Sequence, residues 1–180
     1  MNAARSGLFV VVAVACGLVL GGCSPVTVGD YTGNEPKLVA EDFFDGRLRA
    51  HGVVKNRGGK VIRYFSADID ASWVDGVGTL DERFLFDDGE QQTRIWTLRP
   101  TAPDRYLATA GDVVGEGELE ISGNSLFLDY VLRVPYGDDS IDLRIDDRMY
   151  LVSERVLLNE SIMTKWGIEV ASVMLVIEKL

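Results

Sequence analysis

Two arginines, two acids and a tyrosine occupy positions that a strand reading turns toward one interior: Arg63, Glu82, Arg94, Tyr130 and Asp147, with Trp96 two residues beyond Arg94. Such a set supports three kinds of chemistry. Guanidinium and carboxylate can pair as a structural network, where breaking one buried pair costs on the order of 3 to 5 kcal/mol. The same groups beside aromatic walls can form the polar end of a ligand pocket. Glu82 and Asp147 could also act as an acid and base pair of the glycosidase kind. Against this, each carboxylate has an arginine available, which favours the ionised form over the protonated one that a general acid needs. No catalytic residue is therefore assigned, and a non-enzymatic role is expected.

Other chemistry lacks the residues. His51 is the single histidine, and both cysteines, Cys16 and Cys23, fall within the first 23 positions. A disulfide and a cysteine metal site are thereby excluded from the rest of the chain, His51 on an arginine-rich strand reads as a solvated surface residue and not as a triad member, and neither a metal nor a cofactor is expected. Gly115-Glu116-Gly117 followed by Gly123 is no phosphate loop, because no helix starts there to present its N-terminus.

The elements that would carry these residues are strands. From Phe43 to Leu180 the chain alternates with period two between Asp, Gly, Asn and Pro breaks, and no convincing amphipathic helix is present. Strands are expected at about 43–55, 60–74, 78–87, 92–99, 104–111, 115–122, 125–134, 140–151, 154–162 and 167–179. The fold class is all-β: an antiparallel, up-and-down, lipocalin-like barrel of about 8–10 strands, since closure removes exposed edges. A two-sheet sandwich is the alternative, because alternation cannot say whether the first and last strands pair. A membrane-spanning barrel is disfavoured by the mid-strand charges Asp68, Asp70, Asp81, Arg83, Arg144, Asp146 and Arg148 on the outward faces.

The turns set the register. A turn centred on Asp88 pairs Leu80 with Trp96, Glu82 with Arg94, and Phe84 with Gln92, so an inward carboxylate faces an inward guanidinium. The Gly123-Asn124 turn pairs Ile121 with Leu126, Leu119 with Leu128, and Gly117 with Tyr130, where glycine gives the ring room. The next hairpin pairs Val134 with Ile141, Leu132 with Leu143, Tyr130 with Ile145, and Leu128 with Asp147. Arg63 shares the inward face of its strand with Phe65, Ile69 and Trp73. The interior is thus apolar with a polar patch of Arg63, Glu82, Arg94, Tyr130 and Asp147 near Trp73 and Trp96. Two readings of the patch stay open, a satisfied structural network and the lining of a ligand cavity; a register slip would move it to the surface.

The remaining chemistry belongs to Cys23. Arg5 precedes an apolar run from Leu8 to Leu20, too short to span a bilayer, which ends in Leu20-Gly21-Gly22-Cys23. This resembles the lipobox of bacterial lipoproteins, in which the cysteine thiol takes a diacylglycerol group. The implied organisation is a lipoprotein signal peptide at 1–22, a lipidated Cys23 with a flexible tether at 23–40, and a β-barrel domain at 41–180. The expected site is the bacterial envelope, anchored through Cys23 and facing the periplasm, with Ser24 favouring the outer membrane. Formal charge is −10, and −11 once Arg5 leaves with the signal, so nucleic acid is not an expected partner.

One resemblance covers nearly all of the mature chain. The residues that carry it are Phe44-x-Gly46, Ala50-x-Gly52, Leu80-x-Glu82-x-Phe84 with Asp88-Gly89, Arg94-x-Trp96, Asp112-Val113-Val114-Gly115, Gly123-Asn124, Tyr130, Asp146-Asp147-Arg148-Met149-Tyr150 and Met163-x-Lys165-x-Gly167. Together they resemble the Domain of Unknown Function 3833 lipoproteins of proteobacteria. Arg148 departs from that pattern, which often has tryptophan after the paired aspartates. The resemblance implies an envelope lipoprotein and carries no assigned activity, ligand or catalytic residue. The leading functional expectation is binding or carriage of a small hydrophobic or amphiphilic ligand inside the barrel, with Arg63 and Arg94 orienting an acidic group. The alternative is a structural or protein-interaction lipoprotein with a filled core.

Overall fold

Ten consecutive alternating segments pair edge to edge and close on themselves in a computed structural model that describes residues 25–180. The strands are β1 (Gly46–Asn56), β2 (Val61–Val74), β3 (Val77–Phe86), β4 (Gln91–Ala102), β5 (Arg105–Thr109), β6 (Gly117–Ser122), β7 (Ser125–Tyr136), β8 (Asp139–Ser153), β9 (Val156–Lys165) and β10 (Ile168–Lys179). Each is antiparallel to its neighbours in sequence, and β1 pairs with β10 from Leu48↔Lys179 to Asn56↔Ala171. That last pairing decides for the barrel over the sandwich, because it gives the first and last strands each a second neighbour.

The expected registers are found: Leu80↔Trp96, Glu82↔Arg94, Leu119↔Leu128, Tyr130↔Ile145 and Leu128↔Asp147. Because side chains alternate across a strand, one correct pair orients every residue of both partners. Gly117 lies against Tyr130 as expected, but the constraint comes from the backbone approach more than from the ring. A Cβ at Gly117 would sit 2.9 Å from the Tyr130 Cβ.

The charged outward faces are laced by ion pairs, among them Arg49–Asp68 at 2.8 Å, Arg133–Asp142 at 2.8 Å and Arg148–Asp146 at 2.6 Å. Arg148 stacks its guanidinium 3.9 Å over the Phe127 ring, so a planar cation covers that ring on the outer surface.

The two ends of the barrel differ. Residues 28–31 form a 3₁₀ turn on the outer wall, where Tyr31 packs on Phe127 and Tyr150 at 5.7 and 5.4 Å between ring centroids. The Leu38 N–H donates to Gly123 O at 2.8 Å, and Leu38 is fully buried. A one-turn helix α1 (Ala40–Phe43) follows, and with it Phe43 and Phe44 are buried across the end of the barrel. Much of the stretch read as a tether is therefore docked, and β1 starts at Gly46, later than the alternation indicated. Four helical residues are too few to show a helical period, so the pattern could not announce α1. The Trp73 indole N–H donates to Phe44 O at 2.7 Å and ties this floor to β2. At the opposite end, Glu90, Gln92, Arg133 and Pro135 are exposed and line the way into the lumen.

Candidate functional site

Inward side chains from eight of the strands leave a continuous cavity of about 830 Å³ that runs from Phe44 at the floor to the open rim. Protein interiors normally pack without voids much larger than a water molecule, so a lumen of this size is a built space. It falls within the range of sites that hold small organic ligands, roughly 300 to 1,000 Å³. Its walls are apolar for most of their height, with Ile69, Leu80, Leu128, Leu132 and Ile177 among them.

The polar patch sits midway. Arg94 from β4 is gripped by Asp112, with Nε to Oδ1 at 3.1 Å, Nε to Oδ2 at 3.0 Å and Nη2 to Oδ2 at 2.7 Å. Asp112 belongs to the loop between β5 and β6, and β7 pins that loop. The Arg133 N–H donates to Asp112 O, and the Val114 N–H donates to Val131 O, both at 2.8 Å. Trp96 meets Tyr130 edge to face at 5.2 Å. Asp147 accepts hydrogen bonds at Oδ1 from Ser161 Oγ at 2.7 Å and from Asn159 Nδ2. Asp147, Asn159 and Ser161 are all buried.

Of the residues singled out by sequence, the structure brings Glu82, Arg94, Trp96, Tyr130 and Asp147 into one patch, and it places Arg63 elsewhere. Arg63 lines the lumen near its rim, where Asp88 at 3.0 Å and Glu90 at 2.8 Å hold it, with its guanidinium 3.7 Å over Phe86. Arg63 and Arg94 thus form no joint cluster, and an acidic ligand group would have to displace carboxylates already bound to each. The expected Glu82–Arg94 ion pair is corrected as well. The two face each other in register, yet Arg94 commits its fork to Asp112.

This changes the protonation of the interior. Burial pushes the Glu82 carboxyl up to about 7, against the pull of Arg94, and Asp147 adds to the rise. Burial likewise pushes Asp147 up to about 6, opposed by the Asn159 and Ser161 hydrogen bonds and by Arg94. Desolvation also raises Tyr130, with Asp147 contributing. The expected neutralisation of the two carboxylates by Arg63 and Arg94 is not found, because both arginines are held by other acids, and burial raises both carboxyls toward neutrality. Carboxyls that titrate near neutrality can hold or transfer a proton. Among the described residues no cluster of three or more histidine, aspartate and glutamate side chains could hold a metal ion. The expected lipidation site, Cys23, lies outside the described residues.

Sequence reasoning missed Asn159 and Ser161, and it noted Asp112 in the family pattern without placing it in the site. Strand parity on β9, where Leu157, Asn159, Ser161 and Met163 alternate inward, could have found the first two. Asp112 is in a loop, where alternation assigns no direction.

The family whose sequence pattern matches is described as "Protein of unknown function (DUF3833)", and the match covers residues 17–179. No curated protein matches the chain. Among solved structures, the S-type phycobiliprotein lyase CPES from Guillardia theta is similar at a TM-score of 0.58 with 13% identity, covering 79% of this chain and 93% of that one. At that identity the likeness is one of fold. It also corrects the expectation of a non-enzymatic role: a barrel of this kind is described as a lyase, so the architecture gives no ground for setting catalysis aside.

Proposed function

The chain belongs to the DUF3833 family of proteins of unknown function, and we propose that its barrel binds a small hydrophobic or amphiphilic molecule in the lumen. The observation that carries this reading is the lumen itself: about 830 Å³, floored by Phe44, open at the rim, walled by apolar side chains and interrupted by one polar patch. A filled-core structural role fits poorly with so much unfilled volume, since each missing contact forfeits dispersion energy that a packed core would gain. The similarity in fold to a lyase supports the reading only as far as architecture goes.

In this reading the domain is held at a bacterial membrane, facing the periplasm, by lipid on Cys23, with the outer membrane favoured by Ser24. The support is the apolar leader and the Leu20-Gly21-Gly22-Cys23 sequence.

The test uses residues 23–180 with Cys23→Ser, which retains every strand of the closed barrel. Native mass spectrometry after purification from cells should show a bound small molecule, and organic extraction should release it. Ala67→Trp, which projects into the lumen between Ala50 and Phe84, should keep the β-sheet circular dichroism and lose the ligand. An empty wild-type barrel that also fails to take up apolar dyes would overturn the reading.

A further inference from the structure

Once each arginine on the lumen wall is matched with its partners, the charges left over are all of one sign. Arg63 is held by Asp88 and Glu90, Arg94 by Asp112, and Arg133 by Asp142. Glu82 and Asp147 remain, both lining the cavity and neither with a cation of its own. Asp147 spends only one of its oxygens: Asn159 and Ser161 both donate to Oδ1, and no described residue donates to Oδ2. That second oxygen faces the cavity, where a donor on a bound ligand can reach it.

From this geometry we infer that the polar end of the ligand is a cationic nitrogen, such as a protonated amine on an apolar body, held between Glu82 and Asp147 with Trp96 and Tyr130 as its aromatic walls. Glu82 comes from β3 and Asp147 from β8, so the two reach the patch from separate parts of the barrel wall. A cation there satisfies both carboxylates and meets two ring systems, which attract positive charge. An anionic head would face these two acids, while the three guanidiniums already bind carboxylates. The groups that bear on Glu82 are Arg94 and Trp96 on β4, Asp112 in the β5–β6 loop and Asp147 on β8, and Glu82 in turn acts on Tyr130 of β7. Of these only Arg94 is a cation.

The inference rests on the ligand-binding reading, and one experiment separates the two. Residues 23–180 with Cys23→Ser are titrated at about pH 8 with dodecylamine, dodecanol and dodecanoate below their micellar concentrations, following tryptophan fluorescence and heat. The amine should bind about tenfold or more tightly than the alcohol, and the carboxylate most weakly. In the Glu82→Gln, Asp147→Asn double variant, dodecanol affinity should hold while the amine preference disappears. Equal binding of amine and alcohol, tighter binding of the carboxylate, or a preference that survives the double variant would overturn the inference and leave the lumen a general apolar site. Failure of all three probes to bind would overturn the ligand-binding reading and this inference with it.

Discussion

Arg94 and Asp112 form a two-pronged ion pair in which both carboxylate oxygens meet the guanidinium at 2.7 to 3.1 Å, although Glu82 stands directly opposite Arg94 in the β3–β4 ladder. The side chains of Arg94 and Asp112 are 20% and 38% exposed, so the pair is only partly desolvated. That preference leaves Glu82 without a counterion and makes the patch acidic.

Removing one partner of this pair isolates the other charge. Arg94→Met should lower stability by about 1 to 3 kcal/mol, less than for a fully buried pair because Asp112 keeps some solvent. Adding Asp112→Asn should recover most of the loss, whereas adding Glu82→Gln should recover less. Urea denaturation of the three variants checks this, and better rescue by Glu82→Gln would make Glu82 the true partner.

Stability should fall as pH rises from about 4.5 to about 7. Glu82 and Asp147 bind protons more tightly folded than unfolded, so between the two values the native state carries protons that the unfolded chain has released. The stabilisation is complete below the unfolded values and is lost once pH passes the folded ones, on the order of 1 to 3 kcal/mol per carboxyl. Glu82→Gln should flatten the upper part of this slope. Melting temperatures measured across the range would show it, and a wild-type profile that climbs from pH 5 to pH 7 would contradict it.

Gly123 is where the N-terminal segment meets the β6–β7 turn. Its φ is +55°, and a Cβ there would lie 1.9 Å from Tyr31 O. Gly123→Ala should displace residues 31–34, cost about 1 to 3 kcal/mol, and expose the segment ahead of α1 to protease while the barrel stays closed. Hydrogen exchange at the Leu38 amide, which donates to Gly123 O, is the sensitive readout.

Lipid attachment at Cys23 predicts that the full-length chain partitions with membranes and gains the mass of its acyl groups, and that Cys23→Ser abolishes both. Unchanged fractionation of the variant would place the anchor elsewhere.

Sequence alone determined the all-β class with about 8–10 strands, the hairpin registers and the inward direction of Glu82, Arg94, Trp96, Tyr130 and Asp147, because alternation with period two and short turns are local properties that one chain segment states by itself. It also carried the family pattern, which needs no fold to be read. Tertiary structure alone decided three things. Barrel closure depended on β1 meeting β10, a contact across more than a hundred residues that no local pattern encodes. The docking of residues 31–38 and the floor of Phe43 and Phe44 depended on the end of a barrel that exists only once it has closed. The partner of Arg94 was set by a loop that β7 pins in place, and that choice, together with Arg63 turning to the rim, left Glu82 and Asp147 without an ion-pair partner among the described residues. Ladder arithmetic ranks neighbours along strands, but a long guanidinium bonds to whichever carboxylate the folded chain brings within reach in a suitable geometry.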